Sequence, residues 1–110
     1  MHLSDYQAKA LKTYKVNNHH SPLERLARLT LGVCGESGEL AEKVKKIMRG
    51  DTEVGASYQD IEKELGDILW YVAALSFEIV TNLDRIAQIN LDKLSDRDDR
   101  GMIKGSGDER

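Results

Sequence analysis

Apolar positions along this chain recur at intervals of three and four, and no stretch alternates strictly between apolar and polar, so the pattern is helical throughout. A first short helix is expected from Ser4 to about Tyr14, followed by a loop at Asn17 to His20. Ser21-Pro22-Leu23-Glu24 reads as a strong helix start: Ser21 caps, Pro22 suits the first turn, and Glu24 completes a capping box. This second helix should run to about Arg49 and stop at Gly50-Asp51. Gly55 and Ser57 precede the third helix, with Ser57 as the expected N-cap. Its apolar set is Ile61, Leu65, Ile68, Val72, Leu75 and Ile79, a four-three alternation that marks a bundle-type seam. A break near Thr81-Asn82 leads to a fourth helix, about Leu83 to Arg97, and positions 98–110 read as a C-terminal tail. The expectation is all-α and bundle-like, one domain spanning 1–110, with four helices.

The third helix carries more than one apolar side. Leu69, Trp70 and Phe77 point away from the Ile61–Leu65–Ile68 seam at helical spacing, and a helix apolar nearly all round must be covered on both sides. Four short helices cover one side, so a second copy of the chain is the expected cover for the other. A chain of 110 residues also buries only a limited share of its surface, which favours oligomerisation.

Composition narrows the class. Hydrophobic residues make up 40% and charged residues 32%, too apolar for a disordered chain. The net charge of −3 gives none of the basic excess expected of a nucleic-acid-binding surface, so no nucleic-acid partner is expected. The single cysteine, Cys34, excludes an intramolecular disulfide and reads as a small packed thiol. The N-terminal segment lacks the apolar core of a signal peptide, and the longest apolar stretch, Ile68 to Val80, is interrupted by Ser76 and Glu78. A cytoplasmic location with no membrane partner is therefore expected.

The candidate chemistry lies in two acidic motifs. Gly35-Glu36-Ser37-Gly38-Glu39 falls on the second helix and Glu64-Leu65-Gly66-Asp67 on the third. Each places two carboxylates three residues apart, on one helix face and about one turn apart. The motifs lie about equally far on either side of the Asp51-Thr52 link, so an antiparallel hairpin brings them to the same level. A lone Glu-x-x-Glu is usually a solvated face. Two such motifs, each set against apolar neighbours, are costly unless some acids protonate or a cation sits among them. An all-oxygen ligand set suits Mg²⁺ or Mn²⁺. A di-iron bundle would need Glu-x-x-His, and His2, His19 and His20 do not provide it. Gly35, Gly38 and Gly66 are unusual inside helices, where each costs about 1 kcal/mol relative to Ala; beside the acids they leave room for close helix approach or for a ligand.

At these residues the chain resembles the MazG-like nucleotide pyrophosphohydrolases. GESGELAEKVKK followed by KELGDILWYVAALS carries the resemblance, and NLDKLSDRDDRG with GSGDER is similar to the C-terminal stretch of short members. It covers about Leu29 to Arg110. The resemblance implies a MazG-like bundle assembled as a homodimer or a dimer of dimers (a homotetramer). It also implies Mg²⁺-dependent hydrolysis of a nucleoside triphosphate to the monophosphate and pyrophosphate, with Glu36, Glu39, Glu64 and Asp67 as catalytic metal ligands. The family pattern is Glu-Glu-x-x-Glu, then Glu-x-x-Asp. Gly35 stands where its first Glu is often found, which leaves open whether a separate carboxylate base exists. Phosphoribosyl-ATP pyrophosphohydrolase, which shares the bundle and the acids, is an alternative. A non-enzymatic helical oligomer holding a structural cation is another.

Groups that could hold substrate are fewer. Asn90, Lys93 and Arg97 share a face of the fourth helix, and polyphosphate needs such donors. On spacing alone they could equally form a solvated basic face offset by Asp92, Asp96, Asp98 and Asp99; the resemblance favours phosphate contact. Tyr71, one turn beyond Asp67, is the aromatic best placed near the acids, whereas Trp70 suits a core or interface. Lys45, Lys46 and Arg49 read first as favourable charge at a helix C-terminus.

Overall fold

The structure, a computed structural model, describes residues 1–51 and 53–109, with side chains left aside at 54–56. Thr52 of the Asp51-Thr52 link and the terminal Arg110 thus lie outside the described residues. The described chain is all-α: α1 (Leu3–Leu11), α2 (Pro22–Met48), α3 (Val54–Glu78) and α4 (Leu83–Asp99). The expected class and element order hold, and the boundaries differ in instructive ways.

Helix α1 stops short of Tyr14. Thr13 turns its hydroxyl back onto the Ala10 carbonyl at 2.7 Å, and the Thr13 and Tyr14 amides bond three residues back in a tightened final turn. Ser21 caps α2 as expected, accepting from the Glu24 amide at 3.1 Å, with Pro22 in the first turn. Ser57 does not cap α3. The helix begins three residues earlier behind Glu53, and the Ser57 hydroxyl donates to the Glu53 carbonyl at 2.8 Å, four residues back within the first turn. Asn82 caps α4 by accepting from the Arg85 amide at 2.8 Å. α4 runs on to Asp99, so Asp98 and Asp99 belong to the helix rather than to the tail.

Three helices end in the same way. Beyond α2, Gly50 is left-handed (φ 75°), its amide bonds to Ile47 and the next amide, Asp51, reaches Lys46. Beyond α4, Gly101 (φ 69°) repeats the arrangement. Both are Schellman caps with glycine where a Cβ would be strained. Beyond α3 the Val80 amide bonds to Phe77 and the Thr81 amide to Ser76, but Val80 itself holds the left-handed position (φ 60°).

The centre of the molecule is the antiparallel hairpin of α2 and α3, in step along its length. Arg25 meets Glu78 at 3.1 Å. Leu29 is buried on α2, as are Ala73 and Ala74 on α3. Gly32 faces the ring of Tyr71 so closely that a Cβ there would lie 2.2 Å from a ring carbon. Lys43 reaches Glu64 and the Asp60 carbonyl. Gly32 is the small residue that lets the helices approach. A Cβ added at Gly35, Gly38 or Gly66 would meet nothing within 4 Å beyond its own turn of helix among the described residues.

Helix α1 lies against α3 and α4, whereas among the described residues α4 makes no close approach to α2. The buried Gln7 fixes this arrangement. Its Nε2 donates to Ser76 Oγ at 2.7 Å and its Oε1 accepts from the Leu83 amide at 2.9 Å, tying α1 to the corner between α3 and α4. The second side of α3 is partly covered by the same chain. Trp70 Nε1 donates to Thr13 Oγ1 at 2.7 Å, and Tyr14 meets both Trp70 and Phe77 edge to face. The seam is less complete than its spacing implies: Leu65 and Ile79 are more than half exposed. Cys34 is exposed, not packed, because it falls on the outer side of α2.

Candidate metal centre

The register of the hairpin carries the acids to one level. Glu36 on α2 and Glu64 and Asp67 on α3 each offer an oxygen within 4.8 Å of the others. Glu64 is only 5% exposed although it is a carboxylate, and Glu36 is half-buried. Glu36 Oε2 and Glu64 Oε2 are buried with no hydrogen-bond partner. Buried carboxylate oxygens normally find donors, so this pair is arranged for something other than protein hydrogen bonds. Glu39 stands at the exposed rim, outside this group of three, near enough to Glu64 and Glu36 for its carboxylate to be felt by both.

The electrostatics follow from this crowding. The Glu36 carboxyl is pushed up, first by its side-chain contact with Glu64, then by burial and by the charges of Glu39, Asp67 and Glu64. Glu64 is held below the usual carboxylate range, first by the Lys43 ammonium, 2.6 Å from its Oε1, and next by Glu36. On α1, burial and then the charge of Asp67 raise the Tyr6 phenol.

These residues fit a hard divalent cation. The donors are all carboxylate oxygens, the class Mg²⁺ and Mn²⁺ prefer. Their mutual spacing is near the span of one ion bound at about 2.1 Å per ligand. Two of the oxygens are buried and unsatisfied, so a cation would relieve both the repulsion and the missing partners.

The other expected site residues fall elsewhere. Tyr71 lies one turn along α3 from Asp67, but its ring packs on Gly32 and edge to face with Trp70 at 5.1 Å, in the layer beneath the acids. Asn90, Lys93 and Arg97 are not brought to the acids by any hydrogen bond or ion pair among the described residues. Instead Lys93 Nζ and Arg97 hold the Asp108 carboxylate, at 2.9 and 3.4 Å. Arg97, only 6% exposed, also donates to the Asp108 carbonyl at 3.0 Å. The tail is thus folded back over α4 rather than extended. The spacing alone places Lys43 beside the acids: it lies four residues after Glu39 and seven after Glu36, on the acidic face of α2. Gln7 and Asp108 depend on tertiary contacts that no local spacing announces.

Fold and cluster together define an all-α protein with a carboxylate centre suited to a hard divalent ion. The chain belongs to the MazG nucleotide pyrophosphohydrolase domain family, whose model matches residues 24–102. It is also similar to the Gene 37 protein of Mycobacterium phage L5, 43% identical over 114 aligned residues that cover all of both chains. No solved structure gives a significant match. No described helix is long and apolar enough to cross a membrane.

Proposed function

We propose that the protein is a Mg²⁺-dependent nucleoside triphosphate pyrophosphohydrolase, converting an NTP or dNTP to the monophosphate and pyrophosphate. One observation carries the reading: Glu36 and Glu64 each bury an oxygen without a hydrogen-bond partner, within reach of Asp67, on a hairpin of this family. Glu36, Glu64 and Asp67 would hold the metal from the interior and Glu39 from the rim. A bound Mg²⁺ supplies charge neutralisation for phosphate oxygens and a lowered pKa for water. The chain itself supplies position: the matched register of α2 and α3 fixes the carboxylates.

Asn90, Lys93 and Arg97 are the proposed phosphate donors, a reading supported by the joint hold of Lys93 and Arg97 on the Asp108 carboxylate. Tyr71 supports the site from beneath. The working form is a homodimer or homotetramer acting in the cytoplasm, without nucleic acid or membrane as partner. The test is a pyrophosphate-release screen over canonical and damaged NTPs and dNTPs with Mg²⁺ or Mn²⁺. Pyrophosphate and a monophosphate are expected from at least one substrate, with loss of activity in excess EDTA. Full activity in EDTA, or orthophosphate as the first product, would overturn the assignment.

A further inference from the structure

A lysine stands inside the acid cluster, and the proposed chemistry leaves it without a role. Lys43 Nζ lies 2.6 Å from Glu64 Oε1 and 3.3 Å from the carbonyl oxygen of Asp60. Its side chain is largely covered. The ammonium therefore neutralises the most buried acid of the cluster from one side, while Glu64 Oε2 stays buried without a hydrogen-bond partner. The same lysine, with Lys46, Ser57 and Asp60, lines a cleft of about 120 Å³ between α2 and α3. That is well below the roughly 300 Å³ at which pockets begin to enclose whole ligands, so the cleft takes a small group, and its two lysines suit an anionic one.

Two cations do not share one carboxylate at close range without repulsion. A divalent ion on Glu64 would lie within a few ångström of the ammonium in a partly desolvated place, where such repulsion is poorly screened. The flexible four-carbon stem of lysine lets the ammonium move while its anchor on α2 stays fixed. One hydrogen bond, to Asp60, already draws it toward the cleft.

Resting on the metal-site reading above, we infer that Lys43 is the resident counter-cation of the metal-free cluster, displaced from Glu64 by the incoming divalent ion and turned into the cleft beside Lys46, where it binds a phosphate group of the substrate. Lys43 is thus both a competitor for the metal and a substrate contact, and the two roles have opposite signs in a binding experiment.

Calorimetric titration of the full chain with Mn²⁺, without nucleotide, reads the first role. Lys43→Met and Lys43→Gln should each bind Mn²⁺ about tenfold tighter than the wild type, the second variant guarding against a folding defect in the first. Titration with a non-hydrolysable triphosphate analogue in saturating Mn²⁺ reads the second role. There both variants should bind at least about tenfold more weakly than the wild type. If folded variants bind Mn²⁺ equally or more weakly, Lys43 merely props Glu64 for the metal and the displacement is wrong. Unchanged analogue affinity overturns the phosphate contact. Absence of any Mn²⁺ binding by the wild type would instead remove the metal centre itself, a result distinct from either failure.

Discussion

Glu39 and Asp67 occupy different places in the cluster, one exposed at the rim and one on the α3 face beside Tyr6. Both add negative charge where Glu36 and Glu64 are already crowded. If the cluster acts on phosphates through a cation, Glu39→Gln and Asp67→Asn each remove charge from a preorganised site, and such losses usually reduce turnover by about a hundredfold or more. That reduction is expected in a pyrophosphate-release assay, with unchanged circular dichroism. Near-normal rates in both variants would rule out the site. The metal-free stability should move the other way. A carboxyl raised above its unfolded value, as at Glu36, loses its advantage as pH rises and opposes folding once ionised. Removing a neighbouring charge therefore leaves the metal-free melting temperature unchanged or higher at neutral pH.

At the scale of the elements, two junctions set the arrangement of the helices, and both can be probed. Tyr14, just past α1, donates to Glu78 on α3 while Arg25 on α2 holds the same carboxylate, joining three segments at one point. Burial, and then the bond to Glu78, push the Tyr14 phenol up to about 12. Because the folded value lies above the ordinary 10.0, this contribution is complete below that pH and is lost as pH rises toward about 12. Urea midpoints of the wild type should therefore fall between pH 9.5 and 11.5 (about the range the titration spans) more steeply than those of Tyr14→Phe. Equal slopes would count against the junction. The second junction is Val80, a β-branched residue in the left-handed position that Gly50 and Gly101 fill in the other two caps. The left-handed conformation costs a residue with a Cβ about 1–2 kcal/mol, partly offset by the greater freedom of glycine in the unfolded chain. Val80→Gly should stabilise by roughly 0.5–1 kcal/mol, read as a higher urea midpoint at constant slope.

The same junctions show what the chain states locally and what it does not. The Ser21 cap, the Gly50 stop and the two acidic motifs rest on short-range spacing, and the helices they predict are the helices that form. Ser57 illustrates the limit: its hydroxyl is equally able to cap a helix or to bond four residues back, and only the earlier start of α3 decides between them. Gly32 was indistinguishable from Gly35 and Gly38 by sequence, yet it alone of the three touches the opposing helix. The burial of Gln7 and the hold of Asp108 on Lys93 join residues distant in the chain or across a glycine-rich turn, and no periodicity encodes them.

For the whole molecule, the decisive quantity is how little apolar surface one chain covers. Among the described residues the fully buried apolar side chains are Leu29, Ala73, Ala74 and Leu83, two of them alanines. Leu23, Leu31, Leu65 and Phe77 are roughly half exposed or more. Apolar area left in water forgoes about 25 cal/mol per Å², and contiguous exposed apolar surface marks interfaces. Trp70 does not lead that surface, since Thr13 and Tyr14 of its own chain cover it. The outer side of α2 does. Leu23, Ala27, Leu31, Cys34, Gly35, Gly38 and Ala41 fall along one stripe at 3.6 residues per turn, all exposed. Nothing among the described residues accounts for the small size of Gly35 and Gly38, whereas a closely packed helix from a second copy would. A homodimer or larger assembly is therefore expected by light scattering at micromolar concentration. Leu31→Glu, which puts a charge at the middle of the stripe and touches none of the four acids, should dissociate or unfold it and lower activity with it. A monomeric mass for the wild type would show that a chain with so small a core stands alone, and would overturn the expectation.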